Sequence, residues 1–491
     1  MVRTHFKRLT GTALSLCKYL AVAVAGCAIT ALAALVYILD NRPDLSVWHL
    51  ADLDEEFTTR SDVKNFTQYL ALEDRLFQQL DELVYDRVRV GPKNATKRYS
   101  RGSLADPERW PVNWNRSFEL HQEEPRAGVV LLHGLSDSPY SMRALGRALH
   151  QQGAAVLGLR IPGHGTAPSG LVETRWQDMA AAVRLAVPHM RRELGDRPLF
   201  LVGYSNGGAL AMEYALSTLD DTTLPRIAGV ILLSPEIGIS PVAAFAVWQG
   251  RLGHLLGMEK LAWNALLPEY DPYKYGSFAV NAGDVAYRMT RRVQQQLTAL
   301  QGTGKLETLP PILAFQSSVD ATVTASALVA HLFDRLPEGD HELVLFDINR
   351  RAEIGTLLKE DPKTVFEPLL NNPQRDYDLT VVSNENSESN RVVARTVRDG
   401  EVSASATTYL GKWPQGVYSL SHVALPFSPF DPVYGGPEAG DSPGIALGDL
   451  APRGERGVIR VPGNDLLRLR WNPFFDYVRA RTIRFTGLSN N

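Results

Sequence analysis

The chain has 491 residues, 44% of them hydrophobic and 21% charged, which reads as a globular protein able to bury a sizeable core. A formal net charge of -3 with a pI near 6.4 provides no basic field to gather nucleic acid or an anionic membrane surface. Both cysteines, Cys17 and Cys27, lie near the N-terminus, so the remainder can form neither an internal disulfide nor a thiolate metal cluster.

Tyr19 to Leu39 is an uncharged apolar run that, at about 1.5 Å per residue, matches the ~30 Å hydrocarbon core of a bilayer. Arg3, Lys7, Arg8 and Lys18 precede it and an acidic excess follows, which predicts a cytoplasmic N-terminus and a single-pass protein whose globular part lies outside. A cleaved leader, or lipidation at Cys27 in Val24-Ala25-Gly26-Cys27, is the rival; the run continues apolar past Cys27, which favours an uncleaved anchor. The expected division is residues 1–18 as a cytoplasmic terminus, 19–39 as the anchor, 40–110 as a stalk with an amphipathic helix, and 111–491 as the catalytic domain. Within the stalk, Val63, Phe66, Leu70, Phe77, Leu80 and Val84 recur mostly at three- and four-residue intervals, the period of a helix between Ser61 and about Val88.

From Gly128 onward apolar strands alternate with amphipathic helices, which predicts a mostly parallel sheet covered on both faces. The expected strands are 128–134, 155–160, 199–203, 227–233, 312–316 and 342–346; the helices between them are 142–150, 174–194, 207–219 and 325–336. Two stretches break the rhythm. One, 240–302, carries Trp248, Trp263, Tyr270, Tyr273 and Tyr275 among short helical pieces. The other, about 349–415, is polar at first and then offers 391–397 and 403–410 as extra strands, an added hairpin beside the site. A closing helix is expected over 473–481.

Gly203-Tyr204-Ser205-Asn206-Gly207 fits GxSxG between the strand LFLVG and the helix GGALAMEYAL. A strand-turn-helix elbow needs small flanking residues so that the serine oxygen projects clear of the backbone, which makes Ser205 the candidate nucleophile. The tetrahedral intermediate of acyl transfer needs two N–H donors. Asn206 is one candidate and Leu135, in the turn His133-Gly134-Leu135, is the other, with His133 shaping that loop. In this order of elements the acid and then the histidine follow the serine, leaving His254, His331, His341 and His422. His254 falls in the irregular insert, His331 is mid-helix, and His341 begins a strand at the wrong edge of the sheet. His422 is therefore the candidate base. Asp320, after the strand 312–316, is the candidate orienting acid, with Glu236 as its rival.

With LLHG, the Arg160 to Gly165 segment RIPGHG, GYSNG and SSVDATV in register, the chain resembles the α/β-hydrolase superfamily, in its monoglyceride-lipase and serine-aminopeptidase-like branch. The resemblance covers about Gly128 to His422. It implies an α/β-hydrolase fold, no cofactor, a small-molecule acyl substrate that could be a lipid, and a cap over about 240–302. Pro162, Gly163, His164 and Gly165 match the turn that shapes the site in that branch. The family usually places its histidine soon after the last strand, whereas about seventy residues intervene here, well beyond ordinary loop lengths. Three functions compete: an esterase or lipase, an amide-cleaving aminopeptidase-like hydrolase that would need an acid such as Glu259 or Glu269 to hold an amine, and a non-catalytic scaffold on the same fold.

Overall fold

A computed structural model describes residues 18–27, 29–30, 37, 41–238, 259–352, 361–448 and 462–489. Twelve strands occur among them: β1 Phe118–Leu120, β2 Ala127–Leu132, β3 Ala154–Leu159, β4 Leu199–Tyr204, β5 Gly229–Leu233, β6 Trp263–Ala265, β7 Phe278–Ala279, β8 Ile312–Ser317, β9 Glu342–Phe346, β10 Asp378–Asn384, β11 Arg391–Val397 and β12 Ala406–Lys412. The longer helices are α1 Phe66–Leu83, α2 Arg143–Gln151, α3 Trp176–Leu194, α4 Asn206–Asp220, α5 Val280–Leu300, α6 Ala325–His331, α7 Lys363–Leu370 and α8 Phe475–Phe485.

Ten strands form one sheet in the order β1-β3-β2-β4-β5-β8-β9-β10-β11-β12. From β3 to β10 every neighbouring pair is parallel; β1 at one edge, and β11 and β12 at the other, pair antiparallel. The inner strands β2 to β5 carry no charged residue and are buried at every position, because both faces are covered. Along β2, Val130 and Leu132 point into the core that holds Phe66 of α1, Met179 of α3, Leu210 of α4 and Met289 of α5. Val129 and Leu131 enter the opposite core with Leu145 and Leu149 of α2 and Val478 of α8. This is the α/β-hydrolase architecture that the alternation predicts.

Two stretches differ from expectation. The last third of the expected cap is one long helix, α5, whose Ala282, Val285, Met289, Val293, Leu297 and Leu300 enter the main core; the earliest part, 240–258 with Trp248 and His254, lies outside the described residues. In the insertion after β9 the two expected extra strands are β11 and β12, an antiparallel pair that joins the main sheet. A βαβ crossover through α7 lays β10 parallel to β9, and β11 and β12 then extend the same sheet.

The segment expected as a stalk is packed into the molecule. Glu56 and Glu73 grip the buried Arg160, at 2.9 Å from Oε1 of Glu56 to Nη2 and 2.9 Å from Oε2 of Glu73 to Nε, while the Tyr69 hydroxyl donates to the Arg160 carbonyl at 2.6 Å.

The membrane reading needs correction. Parts of the run 19–39 (28, 31–36, 38 and 39) lie outside the described residues, and no helix among the described residues is long and apolar enough to cross a membrane. The single-pass placement, with its anchor, cytoplasmic terminus and outward-facing catalytic part, is therefore withdrawn.

Candidate active site

Ser205 sits between β4 and α4 at φ 52° and ψ -118°, a backbone conformation that costs a non-glycine residue strain. Its amide donates to the Leu233 carbonyl at 2.9 Å, and its own carbonyl accepts from the Glu236 amide at 2.9 Å. Both flanking glycines are sterically required. A Cβ on Gly203 would come within 2.3 Å of the Gly207 carbonyl oxygen, and one on Gly207 within 2.1 Å of the Leu132 carbonyl oxygen. Among the described residues the other non-glycine positions at positive φ are Ser136 and Ser234, in the loop after β2 and at the end of β5. All three lie at the C-terminal edge of the central strands, so strain is concentrated around Ser205.

His422, buried in a short turn, directs Nε2 to Ser205 Oγ at 3.0 Å and Nδ1 to Asp320 Oδ2 at 2.7 Å. The second oxygen of Asp320 accepts from the amides of Thr322 and Val323 at 2.8 and 3.0 Å, and Gln316 Nε2 donates to Oδ2 at 3.0 Å. Burial pushes the Asp320 carboxyl up, but the bonds from His422 and the two amides outweigh it and hold the group below the ordinary carboxylate value. An Asp–His–Ser chain of this kind can draw a proton from the serine and keep the imidazole in one tautomer.

The long detour between β9 and His422 returns to the edge it left. Asn349, just past β9, donates its amide to the Tyr418 carbonyl at 2.6 Å, and Ser317 at the end of β8 donates Oγ to the Leu420 carbonyl at 2.8 Å. Those two bonds deliver His422 to the acid despite the insertion. Ser317 was not singled out from sequence, because a serine ending a strand carries no local mark of such a bond.

Asn206 opens α4 directly after Ser205, and Leu135 follows Gly134, where an added Cβ would lie 3.2 Å from the Ser205 Cβ. Among the described residues neither backbone N–H has a hydrogen-bond acceptor in the protein. His133 ties its loop to the PGHG turn: the Ile161 amide donates to His133 Nε2 at 3.0 Å, and Nδ1 meets the Gly134 carbonyl at 2.8 Å. Burial holds this ring well below its ordinary value, so it stays neutral, with the proton on Nδ1. From the other side Tyr275 donates its amide to the Ser136 carbonyl at 2.8 Å, and Lys274 Nζ stands 3.7 Å from Asp137.

The remaining candidates lie elsewhere. His341 is at the start of β9, where its Nδ1 accepts from the Ile312 amide at 3.2 Å, about 16 Å of strand from the edge that carries Ser205. His331 ends α6, where its carbonyl accepts from Gln294 Nε2 at 3.0 Å; His254 lies outside the described residues. Glu269 spends both carboxylate oxygens on the amides of Gly276 and Ser277, at 2.8 Å each, and Glu259 opens a short surface turn.

Glu236 follows β5 and is buried, and among the described residues its Oε2 has no hydrogen-bond partner. Burial pushes its carboxyl from 4.5 up to about 7. A carboxyl raised in the folded state binds its proton more tightly there, so folding is favoured at low pH and loses that contribution as pH rises from about 4.5 to about 7. We expect Glu236→Gln to remove a loss on the order of 3 kcal/mol between pH 5 and pH 8. Urea unfolding of both proteins at the two pH values checks this; parallel profiles would refute it.

A mostly parallel, helix-covered sheet with a strained serine elbow at its C-terminal edge defines the class of the protein as an α/β-hydrolase fold. Comparison with known proteins finds that residues 123–349, a little under half of the chain, are similar to the model of the serine aminopeptidase family S33. A thermostable monoacylglycerol lipase of Bacillus sp. (strain H-257) is 28% identical over 149 residues, 30% of this chain and 56% of the lipase. A carboxylesterase of Bacillus subtilis (strain 168) is 27% identical over 118 residues, 24% of this chain and 48% of the esterase. The chain thus spans about half the length of the curated relatives it matches. A monoacylglycerol lipase structure from Paleococcus ferrophilus aligns at TM-score 0.35 and 22% identity, covering 47% of this chain and 87% of that one. The resemblance to the α/β-hydrolase superfamily, in its monoglyceride-lipase and serine-aminopeptidase-like branch, holds.

Proposed function

We propose that the protein is a serine hydrolase of carboxylic esters, with Ser205 as nucleophile, His422 as general base and acid, and Asp320 as the group that orients the imidazole. The observation that carries this reading is the continuous path Asp320–His422–Ser205, at 2.7 and 3.0 Å. Ser205 Oγ attacks the acyl carbon while its proton passes to His422 Nε2. The carbonyl π-electrons collect on the oxygen, which the N–H groups of Leu135 and Asn206 receive. As the tetrahedral species collapses, the bond to the leaving oxygen breaks and His422 returns the proton to it, freeing the alcohol and leaving Ser205 acylated. Water then attacks the acyl-enzyme with His422 taking its proton, and as the acyl–Oγ bond breaks His422 returns that proton to Ser205 Oγ and the acid departs.

The names of the relatives, monoacylglycerol lipase, phospholipase and carboxylesterase, favour an ester, including a lipid ester, as the bond cleaved. Amide cleavage is less supported, because Glu269, the buried acid proposed to hold a substrate amine, has both oxygens engaged by backbone amides. The test is steady-state hydrolysis of nitrophenyl esters of graded acyl length beside the matched anilides. Turnover of esters well above that of anilides is expected; preference for an anilide with a free amine would favour the aminopeptidase-like reading.

A further inference from the structure

We propose that the C-terminal strap Arg468–Asn472 is part of the catalytic apparatus, with Ser421 and Asn472 as positioning residues that hold His422 against Asp320 and Ser205; this inference rests on the hydrolase reading above. His422 has no strand of its own. Chain on its N-terminal side is pinned at Leu420 by Ser317, and the histidine lies in a short helical turn, His422–Ala424. On the C-terminal side the strap supplies the anchors. Ser421, the immediate neighbour of the base, donates Oγ to the Leu469 carbonyl. Asn472, fully buried, donates its amide to the Phe427 carbonyl at 2.9 Å and Nδ2 to the Leu425 carbonyl at 3.4 Å, while its Oδ1 accepts from the Phe474 amide at 2.8 Å.

The same strap also reaches the acid. Arg468 Nη2 donates to Thr322 Oγ1 at 3.0 Å, and the Thr322 amide donates to Asp320 Oδ1. One short segment, more than forty residues past the histidine in the sequence and leading into α8, therefore bonds to both the acid loop and the base loop. A hydrolase whose histidine follows its last strand directly has the strand itself to aim the ring. Here the chain between β9 and His422 instead runs out to the far sheet edge at β12 and back, and the strap closes the remaining freedom from the other side. A base displaced by about 1 Å forfeits turnover on the order of a hundredfold without a matching loss of binding, so the strap acts on chemistry through His422.

The test uses the full chain with Ser421→Ala, Ser421→Thr and Asn472→Ala, assayed per active site by titration with a fluorophosphonate. The expected result is a fall of roughly 10- to 100-fold in kcat for both alanine variants with KM changed less than about twofold. Ser421→Thr, which keeps the hydroxyl, restores most of the rate. The low-field proton resonance of the His422 Nδ1–H, sharp in the wild type, is expected to broaden in Ser421→Ala. If Asn472→Ala does not fold, Ser421→Ala at its half-buried site carries the test. Folded alanine variants with wild-type kcat and an unchanged imidazole resonance would overturn the proposal. A wild-type protein that neither hydrolyses esters nor reacts with the probe would overturn the hydrolase reading, and the strap's role with it.

Discussion

His422→Ala is expected to lose turnover by on the order of 10⁴-fold or more while binding substrate with nearly unchanged affinity. The reason lies in one contact: Nε2 at 3.0 Å from Ser205 Oγ is the acceptor for the proton that must leave as the serine attacks. Without it the hydroxyl keeps that proton near neutral pH and remains a weak nucleophile. His341→Ala is the matched comparison. That imidazole accepts a backbone N–H at the far edge of the sheet, and burial holds it down at about 4, so its loss should cost stability and leave the rate per folded molecule near wild type. Kinetics on both purified variants, with folding checked by circular dichroism, decide the matter. A slow His341 variant beside a fast His422 variant would reverse the assignment.

Arg160→Leu is expected to destabilise the protein by about 3–5 kcal/mol, because it leaves the buried Glu73 carboxylate and the half-buried Glu56 carboxylate without their cation. Glu73 is 3% exposed and Arg160 fully buried. Besides its bonds to Glu56 and Glu73, the guanidinium donates to the His164 carbonyl at 3.1 Å, and Glu56 also accepts from the Gly163 amide at 2.9 Å. The cluster therefore joins the segment before the hydrolase sheet to the PGHG turn beneath the site. A Glu56→Gln/Glu73→Gln/Arg160→Leu triple variant should recover part of the loss, since it removes the stranded charges along with their partner. Urea unfolding measures both. A single Arg160→Leu variant within about 1 kcal/mol of wild type would show that solvent, and not the arginine, balances these acids.

The central sheet is legible in the sequence from β2 to β9 because strands buried on both faces are predominantly apolar, and AGVVLL, LFLVGY and GVILL leave little room for another reading. The elbow was legible for a steric reason. Only glycine fits at Gly203 and Gly207, where backbone oxygens stand within 2.3 Å of any added Cβ. β10 escaped notice since DLTVVSN is a short apolar run set among polar residues, and its burial comes from a crossover through α7 that no local pattern announces. Its β-branched Thr380, Val381 and Val382 were the available signal. The length of α5 was missed for the opposite reason: its apolar period was present, from Ala282 to Leu300, but the aromatic cluster just before it drew the whole stretch into one irregular insert. Contacts such as Asp431 with Arg143, at 3.1 Å across 288 residues, leave no trace in either neighbourhood.

Covalent labelling tests the central claim most directly. Treated with a fluorophosphonate at neutral pH, the wild-type protein should gain one adduct, located on the peptide that contains Ser205, and Ser205→Ala should gain none while keeping its fold. An adduct on another residue, or undiminished labelling of the folded Ser205→Ala protein, would contradict the account.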